Sequence, residues 1–301
     1  MKLLVVYNAT AGHGKAGRAL SEIEAAGKAL DLELDIRMTE GRGHATTILE
    51  NSELKDYDGV VAAGGDGTVC ESVNGLFRNP AGAAVPFGVL PVGTGNSFSR
   101  DIGLTTGRNR EALGVIADGR TRAVDVGRCR SGERDFYFLN ILGVGFVTDV
   151  TAAASRLKVL GNGAYTLGVV YRTVFLNTFQ LRLELDGRII EREATFLEIS
   201  NSRYTADFLM APSARIDDGL LDITLLGKIS RRRLLRLFPT VFRGEHIRHA
   251  EVETFKAGHV SLATDQPKTL SPDGELTGSS PANVTCMHRV LEVFAHPAPI
   301  V

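Results

Sequence analysis

The stretch Ala62-Ala63-Gly64-Gly65-Asp66-Gly67-Thr68 constrains this chain more than any other. An apolar run, Gly59 to Ala63, passes straight into three glycines around one acid, and Val69 to Phe77 then has helical spacing. Glycines at the carboxyl end of a parallel strand let backbone N–H groups approach a phosphate closely. The helix N-terminus adds its dipole and its free N–H groups. An acid in such a loop repels phosphate unless a cation lies between them, so Asp66 points to Mg²⁺ or to a reacting proton. The competing reading is an ordinary tight Asp-Gly turn.

The same strand–turn–helix unit recurs. Leu3 to Tyr7 reads as a buried strand, about 15–30 as a helix, Leu32 to Met38 as an alternating strand and His44 to Leu54 as a helix. Phe87 to Leu90 is a third buried strand. Val92-Gly93-Thr94-Gly95-Asn96-Ser97 then turns into a helix, and Thr94 and Asn96 suit either a helix cap or a ligand contact. Strands alternating with helices predict a mostly parallel sheet, and open α/β sheets bind ligands beyond their strand ends. The first loop, Asn8 to Ala16, is not a P-loop: Ala9 replaces the first glycine and Ala16 the hydroxyl residue that would hold magnesium.

Beyond Arg122 the pattern changes. Alternating segments such as Leu181 to Leu185, Thr195 to Ile199 and Leu221 to Leu225 are separated by Asp-Gly turns at Asp186-Gly187 and Asp218-Gly219. They predict a β-rich second domain, a sandwich, interrupted by helical stretches at about 148–178 and 230–243. The boundaries expected are 1–122 and 123–301, with the last strand free to return to the first domain. A length of 301 residues matches two domains.

Lys plus Arg is 34 and Asp plus Glu 35, which excludes a whole-protein basic field for nucleic acid. Cys70, Cys129 and Cys286 are too few and scattered for a disulfide framework or a cysteine zinc site, and suggest a reducing, cytoplasmic setting. The N-terminal apolar stretch is too short for a signal-peptide core, and no run reaches the ~18 apolar residues of a membrane span.

Five segments together resemble the diacylglycerol kinase catalytic family, which includes sphingosine, ceramide and bacterial lipid kinases. They are Asn8 to Gly12; Gly64 to Thr68 with Glu71 and Asn74-Gly75; Leu90 to Asn96; Ala211 to Asp222; and Asp273-Gly274-Glu275. The resemblance spans nearly the whole chain and implies an α/β fold: an NAD-kinase-like N-terminal α/β domain, a C-terminal β-sandwich, and an ATP and lipid site in the cleft between them. It implies nucleotide contacts at Asn8, Thr10, Gly12, Thr39, Gly65, Asp66, Gly67, Thr68, Glu71, Thr94 and Asn96. It further implies magnesium on Asp218 with the carbonyls of Arg215 and Leu220, and Glu275 as general base, with Asp66 the second catalytic acid. A lone Asp-Asp-Gly or Asp-Gly-Glu is otherwise a hairpin turn. Cys70 departs from the family, where Asn or His is usual; it reads as a small buried residue or as a thiol in a helix's first turn.

The implied reaction moves the γ-phosphate of ATP to a lipid hydroxyl, with diacylglycerol the default acceptor and ceramide, sphingoid bases and phosphatidylglycerol open. An NAD-kinase-like soluble phosphotransferase and a non-catalytic nucleotide- or lipid-binding regulator are the rival readings. The basic stretch Arg231-Arg232-Arg233-Leu234-Leu235-Arg236-Leu237-Phe238, followed by Phe242-Arg243, suits either an anionic membrane surface or a solvated helix face. Leu157 to Leu176 suits an acyl-chain pocket or a core helix. A peripheral membrane surface and a homodimer are the partners left open; nucleic acid is not expected.

Overall fold

The computed structural model describes residues 1–146, 148–150, 173 and 176–296. They fall into two compact units, Met1–Asp125 with the chain from Arg289 onward, and Val126–His288.

In the first unit, β1 (Lys2–Tyr7), β2 (Glu33–Met38), β3 (Gly59–Gly64) and β4 (Phe87–Pro91) form a parallel sheet in the order β2-β1-β3-β4. Helices α1 (Lys15–Ala29), α2 (His44–Glu50) and α3 (Asp66–Arg78) make the crossovers; α4 (Ser97–Asp101) and α5 (Asn109–Ala117) follow β4. Every residue of β3 and β4 is buried, which is why both read as continuous apolar runs rather than alternating ones. The edge strand β2 is only partly covered. Strand order reverses between β1 and β3, where Tyr7 pairs with Ala63. A doubly wound sheet opens a crevice beyond its carboxyl ends at such a point. The chain leaves this unit after Asp125 and re-enters at Arg289, whose N–H donates to Asp125 Oδ1 at 2.7 Å.

The second unit is antiparallel. β5 (Thr121–Ser131), which begins in the first unit, pairs with β6 (Arg134–Phe138). β7 (Ile141–Gly145) and β8 (Phe179–Leu185) share one edge of the 13-residue β9 (Arg188–Ser200). The short hairpin β10 (Tyr204–Thr205) and β11 (Phe208–Leu209) precedes β12 (Leu221–Gly227) on the other edge of β9. After α6 (Arg231–Leu237) come β13 (Val252–Ala257), β14 (His259–Thr264), β15 (Leu270–Pro272) and β16 (Ala282–Phe294). The end of β16 lies parallel to β4 in the first unit, Val293 against Phe87. Asp186 and Gly187 take φ of 48° and 89°, the left-handed pair that a two-residue hairpin demands, and they turn β8 into β9.

One core of the second unit gathers Leu142, Val144, Leu183, Leu197, Ile223 and Val260. A second, with Phe196, Leu226, Phe208 and Met210, is covered by Leu234 and Leu237 of α6. Ser230 starts α6 by accepting the Arg233 N–H at 3.3 Å. The expected helix at 148–178 and the Leu157 to Leu176 stretch lie mostly outside the described residues.

Candidate active site

Three loops meet at the carboxyl ends of β1, β3 and β4. Asn8 N–H donates to Ala63 O at 2.9 Å, so the first loop starts on β3. Asn8 Oδ1 accepts the Thr10 N–H and hydroxyl at 3.1 and 2.8 Å, and its Nδ2 donates to Thr68 Oγ1 at 3.1 Å. Gly93 N–H donates to Gly64 O at 3.1 Å. A methyl added at Gly93 would lie 2.2 Å from Gly65 Cα, and one at Gly12, where φ is 61°, would lie 2.6 Å from Val92 O. The loops therefore touch backbone to backbone, a closeness only glycine permits. α3 begins at Asp66 behind Gly65, which contributes no side-chain cap, so the helix terminus faces the glycine loop. Thr39 is tied beside them by its N–H to Tyr7 O at 2.9 Å.

The structure thus brings Asn8, Thr10, Gly12, Thr39, Gly65, Asp66, Gly67, Thr68 and Thr94 to one end of the sheet. Thr94 is exposed and Thr68 buried. Two other expected contacts, Glu71 and the amide nitrogen of Asn96, are engaged within the unit, while Asn96 Oδ1 is buried without a hydrogen bond. Glu71 Oε1 accepts the Gly43 N–H at 2.7 Å and Oε2 the Ala45 N–H at 3.3 Å, so it caps α2. Asn96, in the left-handed region, donates from Nδ2 to Gly93 O and Thr106 Oγ1, both at 2.9 Å, and holds its own loop.

Asp66 Oδ1 accepts the Ser97 N–H at 2.6 Å. Burial pushes the Asp66 carboxyl above the usual carboxylate range; the N–H and hydroxyl of Ser97, the charge of Arg100 and the Asn96 N–H only partly offset it. Cys70 is buried, and its carbonyl accepts Asn74 Nδ2 at 2.8 Å, which fits the small-buried-residue reading.

In the second unit, Asp273 is buried and accepts three backbone N–H groups: Leu139 on Oδ2 at 3.0 Å, Asn140 and Ile141 on Oδ1 at 2.9 Å each. Asp273 and Gly274 take φ of 45° and 85°, and Glu275 N–H closes the turn on Pro272 O at 2.7 Å. Glu275 is half-buried on this clamped turn. The clamp escaped sequence reasoning because its partners lie more than 130 residues away. Asp218 Oδ1 accepts the Leu220 N–H at 3.1 Å, and Arg215 pairs with Asp217 at 3.3 Å. Arg233, expected on a cationic solvent face, instead makes a two-pronged bond to Glu251 at 2.7 and 3.2 Å. A bidentate carboxylate partner fixes the guanidinium in one orientation.

A doubly wound sheet with glycine loops at its switch point, in one chain with an antiparallel unit that carries acids in fixed turns, is the architecture of a nucleotide-binding α/β unit joined to a β-rich unit. Residues 2–129 match the family model for the diacylglycerol kinase catalytic domain, and residues 140–295 match that for the YegS C-terminal NAD kinase beta sandwich-like domain. A diacylglycerol kinase of Mycobacterium tuberculosis is 32% identical over 97% of this chain and 94% of its own length. One of Staphylococcus carnosus is 31% identical over 96% and 94%. The crystal structure of a candidate diacylglycerol kinase from Bacillus anthracis superposes with a TM-score of 0.81 at 27% identity, covering 99% of this chain and 98% of that one. The chain belongs to the diacylglycerol kinase family. It is a kinase, with ATP as its phosphate donor.

Proposed function

We propose that this kinase phosphorylates a lipid hydroxyl, with diacylglycerol as the preferred acceptor. The acceptor rests on the diacylglycerol kinase relatives, and the phosphate-donor half on the backbone contacts of Gly93 with Gly65 and of Gly12 with Val92 at the switch point. These contacts leave a loop surface of peptide groups rather than side chains, the kind of surface that binds phosphate. Phosphoryl transfer needs positioning and charge neutralisation more than covalent help from the protein. The threonines Thr10, Thr68 and Thr94 add hydroxyl donors.

Asp66 is the residue that would hold magnesium: it is part-exposed in the glycine loop, and the Ser97 N–H at 2.6 Å fixes its Oδ1 there. When bound with ATP, the ion would neutralise charge on the transferred phosphate. Glu275 accepts the proton of the lipid hydroxyl; its clamped turn supplies the fixed position that a general base needs.

The acceptor lies in a bilayer, and among the described residues no helix is long and apolar enough to cross one. The exposed positions 231, 232, 235, 236, 239, 242 and 243 recur every three to four residues. They place Leu235 and Phe242, 43% and 44% exposed, among Arg232, Arg236 and Arg243, with no acid in the stretch. Two apolar anchors within a basic face suit an anionic lipid surface.

Incubating the full chain with γ-labelled ATP and vesicles holding diacylglycerol, ceramide, a sphingoid base or phosphatidylglycerol, with NAD in parallel, tests the reading. Label should accumulate fastest in the diacylglycerol sample. Labelled NAD with unlabelled lipid overturns it.

A further inference from the structure

Strands β12 and β13 put a lysine against Asp218, the carboxylate on which the family resemblance puts a metal ion. Lys256 stands directly opposite Asp222 in the antiparallel register. Its Nζ donates to Ser213 O at 3.1 Å, lies 3.4 Å from Asp218 Oδ2, and forms an ion pair with Asp222 Oδ2 at 3.0 Å. An ammonium has three N–H donors and no acceptor; it hydrogen-bonds Ser213 O and Asp218 Oδ2, while Asp222 Oδ2 meets it as an ion pair without a hydrogen bond. The cluster is braced further: Ser213 Oγ donates to Asp222 Oδ1 at 2.7 Å, and the Asp222 side chain is only 8% exposed.

Each oxygen of Asp218 is thereby engaged, Oδ1 by the Leu220 N–H and Oδ2 by Lys256. Asp217 is matched by Arg215. A magnesium ion on Asp218 would need contact at about 2.0–2.1 Å in near-octahedral geometry. It would then share a carboxylate with an ammonium that the sheet register holds in place. Two cations on one carboxylate repel, and the ammonium is the tethered one. Among the described residues no cluster of three or more His, Cys, Asp or Glu forms a rival metal site.

We propose that Lys256 is the resident cation of the Ser213–Asp222 loop, which this chain folds without a bound divalent metal. Magnesium dependence then belongs to the nucleotide site at Asp66 and not to this loop.

Thermal unfolding without nucleotide, in chelator and in millimolar magnesium, tests this on the parent, Lys256→Met and Asp218→Asn. The parent Tm should be the same in both buffers. Lys256→Met keeps the apolar stem, so its Tm in chelator should fall by at least about 2–4 °C, as loss of ~1 kcal/mol or more gives in a domain of this size, and magnesium should restore part of that fall. A magnesium-dependent rise in the parent that vanishes in Asp218→Asn overturns the proposal; a rise that persists in Asp218→Asn belongs to another site and leaves Lys256 as the cation. Should Lys256→Met fail to fold, calorimetric titration of the parent with magnesium decides: heat abolished by Asp218→Asn contradicts the proposal, and its absence supports it.

Discussion

Asp66 at the head of α3 and Ser97 at the head of α4 are joined by a 2.6 Å bond from the Ser97 N–H to Asp66 Oδ1. The acid of the glycine loop therefore also fixes the loop that follows β4, and the two phosphate-type turns are positioned together. That bond engages one carboxylate oxygen. Asp66 is consequently both a structural tie and an acid whose charge burial disfavours, the condition in which a cation or a proton changes its energy most.

Gly65 and Gly93 separate the demands of the fold from those of the ligand. A methyl at Gly93 meets Gly65 backbone at 2.2 Å, so Gly93→Ala must shift a loop and should lower both Tm and ATP affinity. A methyl at Gly65 meets its nearest neighbour at 3.4 Å, an ordinary contact, and φ there is −98°. Gly65→Ala should unfold near the parent temperature yet bind ATP at least several-fold more weakly, because the methyl enters the groove where phosphate approaches. Parental ATP affinity in Gly65→Ala, by equilibrium titration, would remove the loop from the site.

The two threonines should differ in a similar way. Thr68 Oγ1 is the acceptor for Asn8 Nδ2, so Thr68→Val should cost ~1 kcal/mol of stability as well as nucleotide affinity. Thr94 is exposed, and Thr94→Val should weaken ATP several-fold at unchanged Tm. Chemical denaturation and ATP titration of both variants measure the split, and equal effects on stability contradict it.

Glu198 in β9 is 1% exposed, accepts the Thr205 hydroxyl at 2.8 Å, and has its carboxyl pushed up to about 7 by burial. Between about 4.5 and 7 the native chain holds a proton that the unfolded chain has lost. Stability therefore falls as pH rises through that window, and the penalty is complete above it. At ~1.4 kcal/mol per pKa unit, it amounts to about 3 kcal/mol. Glu198→Gln should unfold at higher temperature than the parent at pH 8 and flatten the profile from pH 5 to 7. An unchanged slope contradicts the assignment.

Much of the α/β unit is legible in the sequence, because β1, β3 and β4 are buried on both faces and each runs into a glycine turn. The Asp186-Gly187 hairpin is legible too, since its dihedrals admit few other residues. What is not legible depends on register and long-range partners. Lys256 reaches Asp222 only once β12 and β13 pair. Glu71 looks like a free acid of α3 until α2 packs its N-terminus against it. Arg233 is one of four arginines between 231 and 236, and Glu251, 18 positions on, draws it into an ion pair.

The remaining arginines make the membrane reading quantitative. Each cation near an anionic surface contributes roughly 1 kcal/mol, screened by salt. Replacing Arg232, Arg236 and Arg243 by Gln should release the chain from anionic vesicles at low salt, and Phe242→Ser should weaken binding at any salt. Arg233→Gln should instead lower Tm through the lost Glu251 bond. Co-sedimentation of the triple variant at the parent level shows the face to be merely solvated.

The most direct test is the rate at which label passes from the γ-position of ATP to diacylglycerol in vesicles, measured for the parent and Glu275→Gln side by side. The parent should label the lipid. Glu275→Gln keeps the size and polarity of the side chain but cannot take a proton, so its rate should fall ~10²–10⁴-fold at unchanged ATP affinity. Asp66→Asn should lose rate together with its magnesium response. A parent that leaves diacylglycerol unlabelled contradicts the lipid-kinase reading, and a folded Glu275→Gln with the parental rate contradicts Glu275 as the base.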